Sequence, residues 1–355
     1  MRKICDYTGN SALGLRNLVL RRLKPASLKP RWIWFEVTDR CNSRCRFCNV
    51  WQKPHATDPL TLGEIEKAFS DNIFKDVEYV INSGGEPVIR EDLEEILLIE
   101  KKLFPKATLQ LSTNGLLPER MISLVKAAIR NSINIDVGVS VDAIGDKHDS
   151  IRGVKGNFKK VDRLLNELII LEKFCKNKMS ITIGSTLCDL TVGSFEEIRA
   201  YAERLKVNFM VHWYNSGPFY NNIKNENLIS RKDLLIKRVS SLASSVYYEK
   251  WIKSLCGEPI RFPCFALCTF CVLKCNGDMV PCLTLFDAAI GNVREESPTR
   301  IWNSLEAVRV RSLVRNCRGC VNSWGVGWSF ASSFYPYLLF HFKHPIRTMR
   351  KFINR

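Results

Sequence analysis

Acidic residues are almost missing from both ends of this chain. Residues 1–31 carry eight Lys/Arg against one acid, Asp6, and residues 307–355 carry nine Lys/Arg and no acid. The ends supply +7 and +9 of a net +17, so residues 32–306 are close to neutral. Basic ends suit an anionic partner such as a phospholipid surface, nucleic acid or an acidic substrate; otherwise they form a solvated surface. Long apolar runs are missing too. The nearest approach to an 18-residue run, Trp324 to Phe342, is broken by serines, Pro336 and His341, which argues against a spanning helix. The N-terminus lacks an apolar core with a small-residue cleavage site, so a cytoplasmic chain is expected. Its 14 cysteines then read as metal ligands in a reducing compartment rather than as disulfides.

A length of 355 residues suits one large α/β domain with a smaller partner. Residues 11–23 place Leu15, Leu18, Val19 and Leu23 at helical spacing with arginines interleaved, a short basic amphipathic helix that fits a membrane surface or its own domain. From Trp32 to Asn215 strand and helix patterns alternate. Strands are expected at 33–38, 77–82, 107–112, 135–141, 179–187 and 207–213, with helices near 61–71, 91–103, 118–130, 157–176 and 194–205. Thr61 and Glu64 form a capping-box pattern, and Pro118 suits a first helical turn. Six such repeats predict a parallel sheet curled into a partial or complete β/α barrel, with its site at the C-terminal strand ends.

After the first strand comes Cys41-Asn42-Ser43-Arg44-Cys45-Arg46-Phe47-Cys48. A loop this short can wrap three sulfurs around one inorganic core. Zinc needs a fourth ligand, and the next one in sequence, His55, lies beyond Pro54. A four-iron cluster on three thiolates keeps one iron open for another ligand. After the second strand comes Gly84-Gly85-Glu86-Pro87, where paired glycines permit close backbone approach and the acid can receive an ammonium. Ser112 and Asn114 close the third strand. Ser140 and Asp142 follow on the fourth, with His148 and Arg152 beyond; residues two apart on a strand share a face.

The three-Cys loop, including Phe47, resembles the signature of the radical S-adenosylmethionine (radical SAM) enzymes. The resemblance implies that Cys41, Cys45 and Cys48 hold a [4Fe-4S] cluster whose open iron chelates S-adenosylmethionine, and that reduction yields a 5′-deoxyadenosyl radical. Gly84, Gly85 and Glu86 match the motif that binds the methionine amino group. Ser112 and Asn114 fall where a cofactor contact is expected. The run from Ser140 to Arg152 resembles enzymes with a SPASM or twitch extension, with Ser140 and Asp142 on the ribose and Arg152 on the methionine carboxylate. His148 reads as a loop or cap residue.

Residues 214–232 are a polar loop with Tyr214, Phe219 and Tyr220 at the expected substrate border, and 233–255 read as one helix. Phe270–Lys274 and Met279–Leu285 flank an Asn276-Gly277 turn, a hairpin pattern. Gly277 to Cys282 matches the G-x4-C of SPASM and twitch domains. The resemblance assigns Cys264, Cys282, Cys317 and Cys320 to one auxiliary [4Fe-4S] cluster. A full SPASM pattern places a further Cys where Val326 stands. Cys268, Cys271 and Cys275 stay open: Cys275 could replace Cys264, or the three could hold a second, partly ligated cluster.

The expected chain is a basic amphipathic segment, 1–31; a partial (β/α)6 radical SAM barrel, 32–232, with an apolar, water-excluding interior; an auxiliary-cluster domain, 233–323; and an aromatic and basic tail, 324–355. The expected chemistry is hydrogen abstraction, with net oxidation or modification of a lipid-linked, glycan or small alcohol substrate. A peptide-modifying maturase and a non-catalytic electron-transfer protein are the alternatives. The expected partners are an electron donor such as flavodoxin or ferredoxin and an anionic membrane surface. No nucleic acid is expected, for no nucleic-acid module is recognised.

Overall fold

The structure, a computed structural model, describes residues 11–55, 58–175, 178–223, 227–242, 246–258, 260, 262–317 and 322–333. After helix α1 (Ser11–Leu23) the chain alternates β1 (Trp32–Thr38), α2 (Leu62–Phe69), β2 (Tyr79–Gly84), α3 (Leu93–Leu103), β3 (Thr108–Thr113), α4 (Pro118–Arg130) and β4 (Asn134–Ser140). It continues with α5 (Asp146–Arg152), α6 (Asn157–Glu172), β5 (Met179–Leu187), α7 (Phe195–Leu205) and β6 (Asn208–Trp213). The six strands pair in chain order and all in parallel, a partial (β/α)6 barrel. Local chemistry sets the boundaries as expected: Thr61 and Glu64 make the capping box of α2, and Pro118 opens α4.

Alternate residues of each strand separate outside from inside. Phe35 meets Phe69 edge-on at 5.4 Å under the helix layer, and Phe69 continues to Phe74 and Phe104. The opposite face lines a central cavity with Trp34, Tyr79, Gln110, Asp136, Thr182 and His212. The expected apolar interior holds only in part: most apolar strand positions lie under the helices, and the inner face sets polar side chains beside apolar ones such as Trp34 and Met210.

The second Cys-rich region does not stand on a sheet of its own. Strand β7 (Phe270–Leu273) pairs in parallel with β1, and β8 (Asp278–Val280) and β9 (Gly291–Asn292) add to it, giving nine strands in one sheet among the described residues. The second hairpin arm stops at Val280 because Pro281 has no N–H for the ladder. The segment expected as one helix forms two, α8 (Lys232–Ser240) and α9 (Val246–Leu255), the first ending at Ser241. Two further helices, α10 (Pro298–Asn303) and α11 (Leu305–Asn316), follow the sheet.

The start of the tail forms α12 (Ser323–Ser333), which stands between β6 and the neighbouring β1 and β7. Trp328 stacks on Trp32 of β1 at 6.2 Å, and Trp324 lies 5.6 Å from His212 of β6. Asn17 of α1 donates to the Ser332 carbonyl. Trp324, Trp328 and Phe330 thus pack on the protein and do not form a membrane-facing row; the remaining aromatics of the tail lie outside the described residues. On α1, Leu15, Val19 and Leu23 are exposed while Leu18 packs inward. No helix among the described residues is long and apolar enough to cross a membrane.

One buried acid gives the fold a pH dependence. Glu100 of α3 is fully buried beneath the sheet, accepts a 2.8 Å bond from Asn82, and is pushed by burial to about 8. Its folded value lies above its unfolded one, so the folded state keeps a proton that the unfolded chain releases above the ordinary Glu range. Stability should therefore fall between about pH 4.5 and 8, by up to about 1.4 kcal/mol per pH unit. Glu100→Gln should flatten that slope in denaturant titrations at several pH values. Equal slopes in both proteins would show that Glu100 is ionised in the fold.

Candidate functional site

The three-Cys loop leaves the C-terminal end of β1 and is held from both sides. Gly85 and Glu86 donate to the Thr38 and Arg40 carbonyls, at 2.7 and 2.8 Å. A Cβ on Gly85 would sit 1.9 Å from the Arg40 carbonyl oxygen, so glycine is needed here for contact with the loop. The sequence reading gave the paired glycines to a ligand; the structure gives them first to β1. On the other side Arg44 and Arg46 donate to the Arg152 and Ile151 carbonyls at the end of α5. Gly153, at φ +70, lets that end come within reach, for a Cβ there would meet the Arg44 carbonyl at 2.4 Å.

Cys41, Cys45 and Cys48 line the same cavity, of about 240 Å³, together with Gly84, Gly85, Glu86, Ser112, Asn114, Ser140 and Arg152. Burial pushes the Cys41 and Cys48 thiols up to about 12, so without iron both keep their protons. Among the described residues no three potential ligands close on one point. The donor set nevertheless fits a cluster: three sulfurs share a cavity wall on a short loop, and Arg152 brings a guanidinium 3.6 Å from the Cys45 sulfur. Cys41, Cys45 and Cys48 are thus the residues that would hold a first cluster.

Asn114 ties the site together. Its backbone N–H donates to Glu86 Oε2 at 2.7 Å, and its side chain donates to Asn42 Oδ1 at 2.7 Å and approaches the Cys41 sulfur at 4.0 Å. Burial raises Glu86 to about 7 against hydrogen bonds from Asn114, Thr113 and Val88, and its Oε1 has no partner. That free oxygen is the acceptor expected for an ammonium group.

Asp142 differs from its expected place. Strand β4 ends at Ser140, so the two-residue alternation no longer carries Asp142 to the cavity face. Its carboxylate is fully buried, lies 2.6 Å from Arg152, and accepts from Thr186 N–H at 2.8 Å. Burial opposes the charge on Arg152, but Asp142 and Cys45 outweigh it and hold the guanidinium charged. Phe47 lies 5.5 Å from the same guanidinium, a physical reason for a ring beside the last cysteine. Asp142 therefore positions Arg152 instead of presenting itself to a ribose. His148 is buried and accepts from Asp142 N–H through Nδ1, so its Nε2–H donates to Asn157; burial lowers it to about 4 and it stays neutral.

Deeper in the cavity lie groups that the sequence reading did not name. Tyr79 donates to Gln110 and Asp136, at 3.0 and 2.8 Å. His212 bonds Ser323 at 2.9 Å and is lowered by burial to about 4. The signal was available: Gln110 and Ser112, and Met210 and His212, are pairs two apart on strands, and Thr182 and Thr186 are four apart, spacings that share one sheet face. Tyr214, Phe219 and Tyr220 do border the cavity.

Of the second cysteine group, Cys264 and Cys268 precede β7 and Cys282 follows β8, and the antiparallel pairing of these strands brings them to the same end of the hairpin. Cys264 and Cys268 line a small pocket with Arg21 of α1 and Arg311 of α11, and Cys317 lies within electrostatic reach of Cys264. Cys282 packs beyond β8 and accepts from Leu285 N–H at 3.4 Å, and Cys320 lies outside the described residues. Cys268 precedes β7, Cys271 lies within it, and Cys275 follows it beside Glu36, so these three form no site together.

Comparison with known proteins agrees with the cavity chemistry. The radical SAM superfamily matches residues 35–190, and SPASM, an iron-sulfur cluster-binding domain, matches 264–321. The chain belongs to the radical SAM superfamily. It is 27% identical over 270 residues to a GTP 3′,8-cyclase of Clostridium acetobutylicum, covering 71% of this chain and 80% of that protein. It is 30% identical over 150 residues to the antilisterial bacteriocin subtilosin biosynthesis protein AlbA of Bacillus subtilis, covering 41% of this chain and 32% of that protein. Among solved structures, Streptococcus suis SuiB bound to S-adenosylmethionine matches with a TM-score of 0.61 at 17% identity, over 82% of this chain and 70% of that one. Native anSMEcpe with bound AdoMet and Cp18Cys peptide matches with a TM-score of 0.57 at 16% identity, over 80% and 83%. The cofactors of this radical SAM enzyme are [4Fe-4S] clusters and S-adenosylmethionine.

Asp142→Ala separates the two placements of that residue. It strands a buried guanidinium, which should lower stability by about 3–5 kcal/mol in denaturant melts. Weakened S-adenosylmethionine binding with an unchanged melt would instead return Asp142 to direct ribose contact.

Proposed function

We propose that this radical SAM enzyme abstracts hydrogen from a hydroxyl-bearing substrate, a small alcohol or a glycan, for net oxidation. The observation that carries this reading is the polar part of the inner face below the three-Cys loop. Tyr79, Gln110, Asp136, Thr182 and His212 offer donors and acceptors around one cavity, suited to hydroxyl groups rather than to an apolar chain. The cluster, when bound and reduced, supplies the electron that releases the 5′-deoxyadenosyl radical from S-adenosylmethionine. Glu86 receives the methionine ammonium, Arg152 the carboxylate, and Ser140 with Ser112 the ribose side. Tyr214, Phe219 and Tyr220 cover the mouth and limit water. Cys264, Cys282, Cys317 and Cys320 would hold one auxiliary cluster, which would accept the electron that the substrate radical loses together with its hydroxyl proton. A flavodoxin or ferredoxin supplies the reductant.

Peptide modification is the second reading. AlbA is by name a bacteriocin biosynthesis protein, and SuiB and anSMEcpe were solved with peptides bound. The GTP 3′,8-cyclases act, by name, on a sugar-bearing substrate, which agrees with the first reading. The deciding experiment uses anaerobically reconstituted protein with a strong reductant and carbon-deuterated substrates. Deuterium should enter 5′-deoxyadenosine from polyols or glycans and not from peptides. The combined Cys41→Ala, Cys45→Ala and Cys48→Ala variant should make no 5′-deoxyadenosine. Deuterium transfer from peptides alone would replace the first reading with the second.

An anionic membrane surface is the proposed location for a lipid-linked form of this substrate. Support comes from α1, where Leu15, Val19 and Leu23 are 65%, 48% and 72% exposed at four-residue spacing, with basic Arg16 and Arg22 beside them and no acid in the helix. Each Lys or Arg near an anionic bilayer contributes on the order of 1 kcal/mol. The protein should co-sediment with vesicles containing anionic lipid, weaken in high salt, and lose binding when Leu15, Val19 and Leu23 become Glu. Equal recovery from neutral and anionic vesicles would leave these residues as plain surface.

A further inference from the structure

Far from the cavity mouth, two arginines converge on a strained turn that carries two cysteines. Leu267, between Cys264 and Cys268, has φ +53, a conformation that a bulky residue adopts only when its surroundings impose it. Both cysteines consequently line one small pocket. The imposing groups are visible. Arg311 Nε donates to the Leu267 carbonyl at 2.7 Å, and Arg21 Nε donates to the Cys264 carbonyl at 2.5 Å. Each guanidinium also lies over a ring, Arg311 over Trp302 at 4.9 Å and Arg21 over Phe265 at 5.7 Å.

The turn does not exhaust these arginines. Arg311 is 4% exposed, uses Nη2 on the Trp302 carbonyl, and has no partner for Nη1. Among the described residues neither arginine has a carboxylate within ion-pair distance. A buried cation with no counter-charge is costly. Within electrostatic reach of Arg21 are the sulfurs of Cys268 and Cys264, and within reach of Arg311 is that of Cys268; Arg315, on the same wall, adds like charge.

We propose that Arg21 and Arg311 are the charge partners of the second iron-sulfur site, holding its turn and stabilising the negative charge it gains on reduction. A [4Fe-4S] cluster on four thiolates is anionic and becomes more so when reduced. Nearby cations and N–H groups aimed at its sulfurs raise its potential. The arginines thus favour acceptance of one electron, the role given to the auxiliary cluster in the proposed oxidation, and the inference rests on that reading. One of the two is supplied by the N-terminal helix, from outside both matched domains. They are positioning residues, for neither reaches the substrate cavity.

The test uses the full chain with Cys41, Cys45 and Cys48 replaced by Ala, so that only the second cluster remains. Its iron content and an EPR-monitored redox titration are read anaerobically. Arg21→Gln and Arg311→Gln should each lower the equilibrium constant for reduction about tenfold, a shift of about 59 mV for one electron. Arg21→Lys and Arg311→Lys should restore most of it, because charge and not the guanidinium fork is what counts. Iron lost in the Gln variants but kept in the Lys variants also supports a charge role. Iron kept with a potential unmoved in the Gln variants overturns the proposal. So does iron lost equally in Gln and Lys variants, which assigns the arginines to the turn alone. A parent that binds no iron removes the auxiliary cluster itself, and the oxidation reading fails before the arginines are reached.

Discussion

The site depends on one buried ion pair. Arg152 and Asp142 meet at 2.6 Å, nearly or wholly out of water, and everything around the three-Cys loop is arranged against that pair. Removing two charges from water is expensive, and further contacts on each partner offset part of that cost, although Arg152 Nε has no hydrogen-bond partner. Asp142 also takes the Thr186 N–H, and Arg152 also reaches the Cys45 sulfur and the Phe47 ring. The carbonyls of Ile151 and Arg152 then receive the loop's own N–H groups. One short helix end thus fixes both the charge beside the sulfurs and the backbone that presents them.

The cavity below follows from parallel register. Adjacent strands bring residues of the same parity side by side, so Gln110 pairs with Asp136, and Thr186 with His212. Polar inner residues would ordinarily weaken a barrel core. Here they bond one another, as in the Tyr79, Gln110 and Asp136 set, and the apolar burial is carried by the outer face under the helices. The interior can therefore stay partly polar and available without unfolding the sheet.

Strand and helix order, the three-Cys loop, the glycine motif and the α2 capping box were legible because each is a local pattern with a local cause. Asp142 was misplaced for a specific reason: the alternation rule holds only while the strand lasts, and β4 stops two residues earlier. The polar part of the interior was legible in principle from alternation on β3, β5 and β6, but polar residues inside a parallel strand run against its usual composition. The parallel pairing of β7 with β1 was not legible, since nothing in either strand's sequence names its partner. The arginine pair was hidden for the same reason. Arg21 and Arg311 lie far apart in sequence, and only the turn at Leu267 brings them to one place.

That turn and the cavity are joined by α12. Ser329 accepts from Phe265 N–H beside Cys264, Trp328 packs on Phe270 at 5.2 Å, and Trp324 lies 6.0 Å from Trp328 with His212 on its other side. The helix therefore touches the second cysteine pocket with one turn and the cavity wall with another. Its sequence suits neither a solvent-facing nor a membrane-facing helix: Gly325, Ser329, Ser332 and Ser333 are buried, and small residues let its backbone approach the sheet closely. Large rings at Trp324 and Trp328 fill what the small residues leave. A change at Trp328 must then disturb the β1 end, the β7 end and the packing behind His212 together, because a close-packed interior transmits such a change rather than absorbing it.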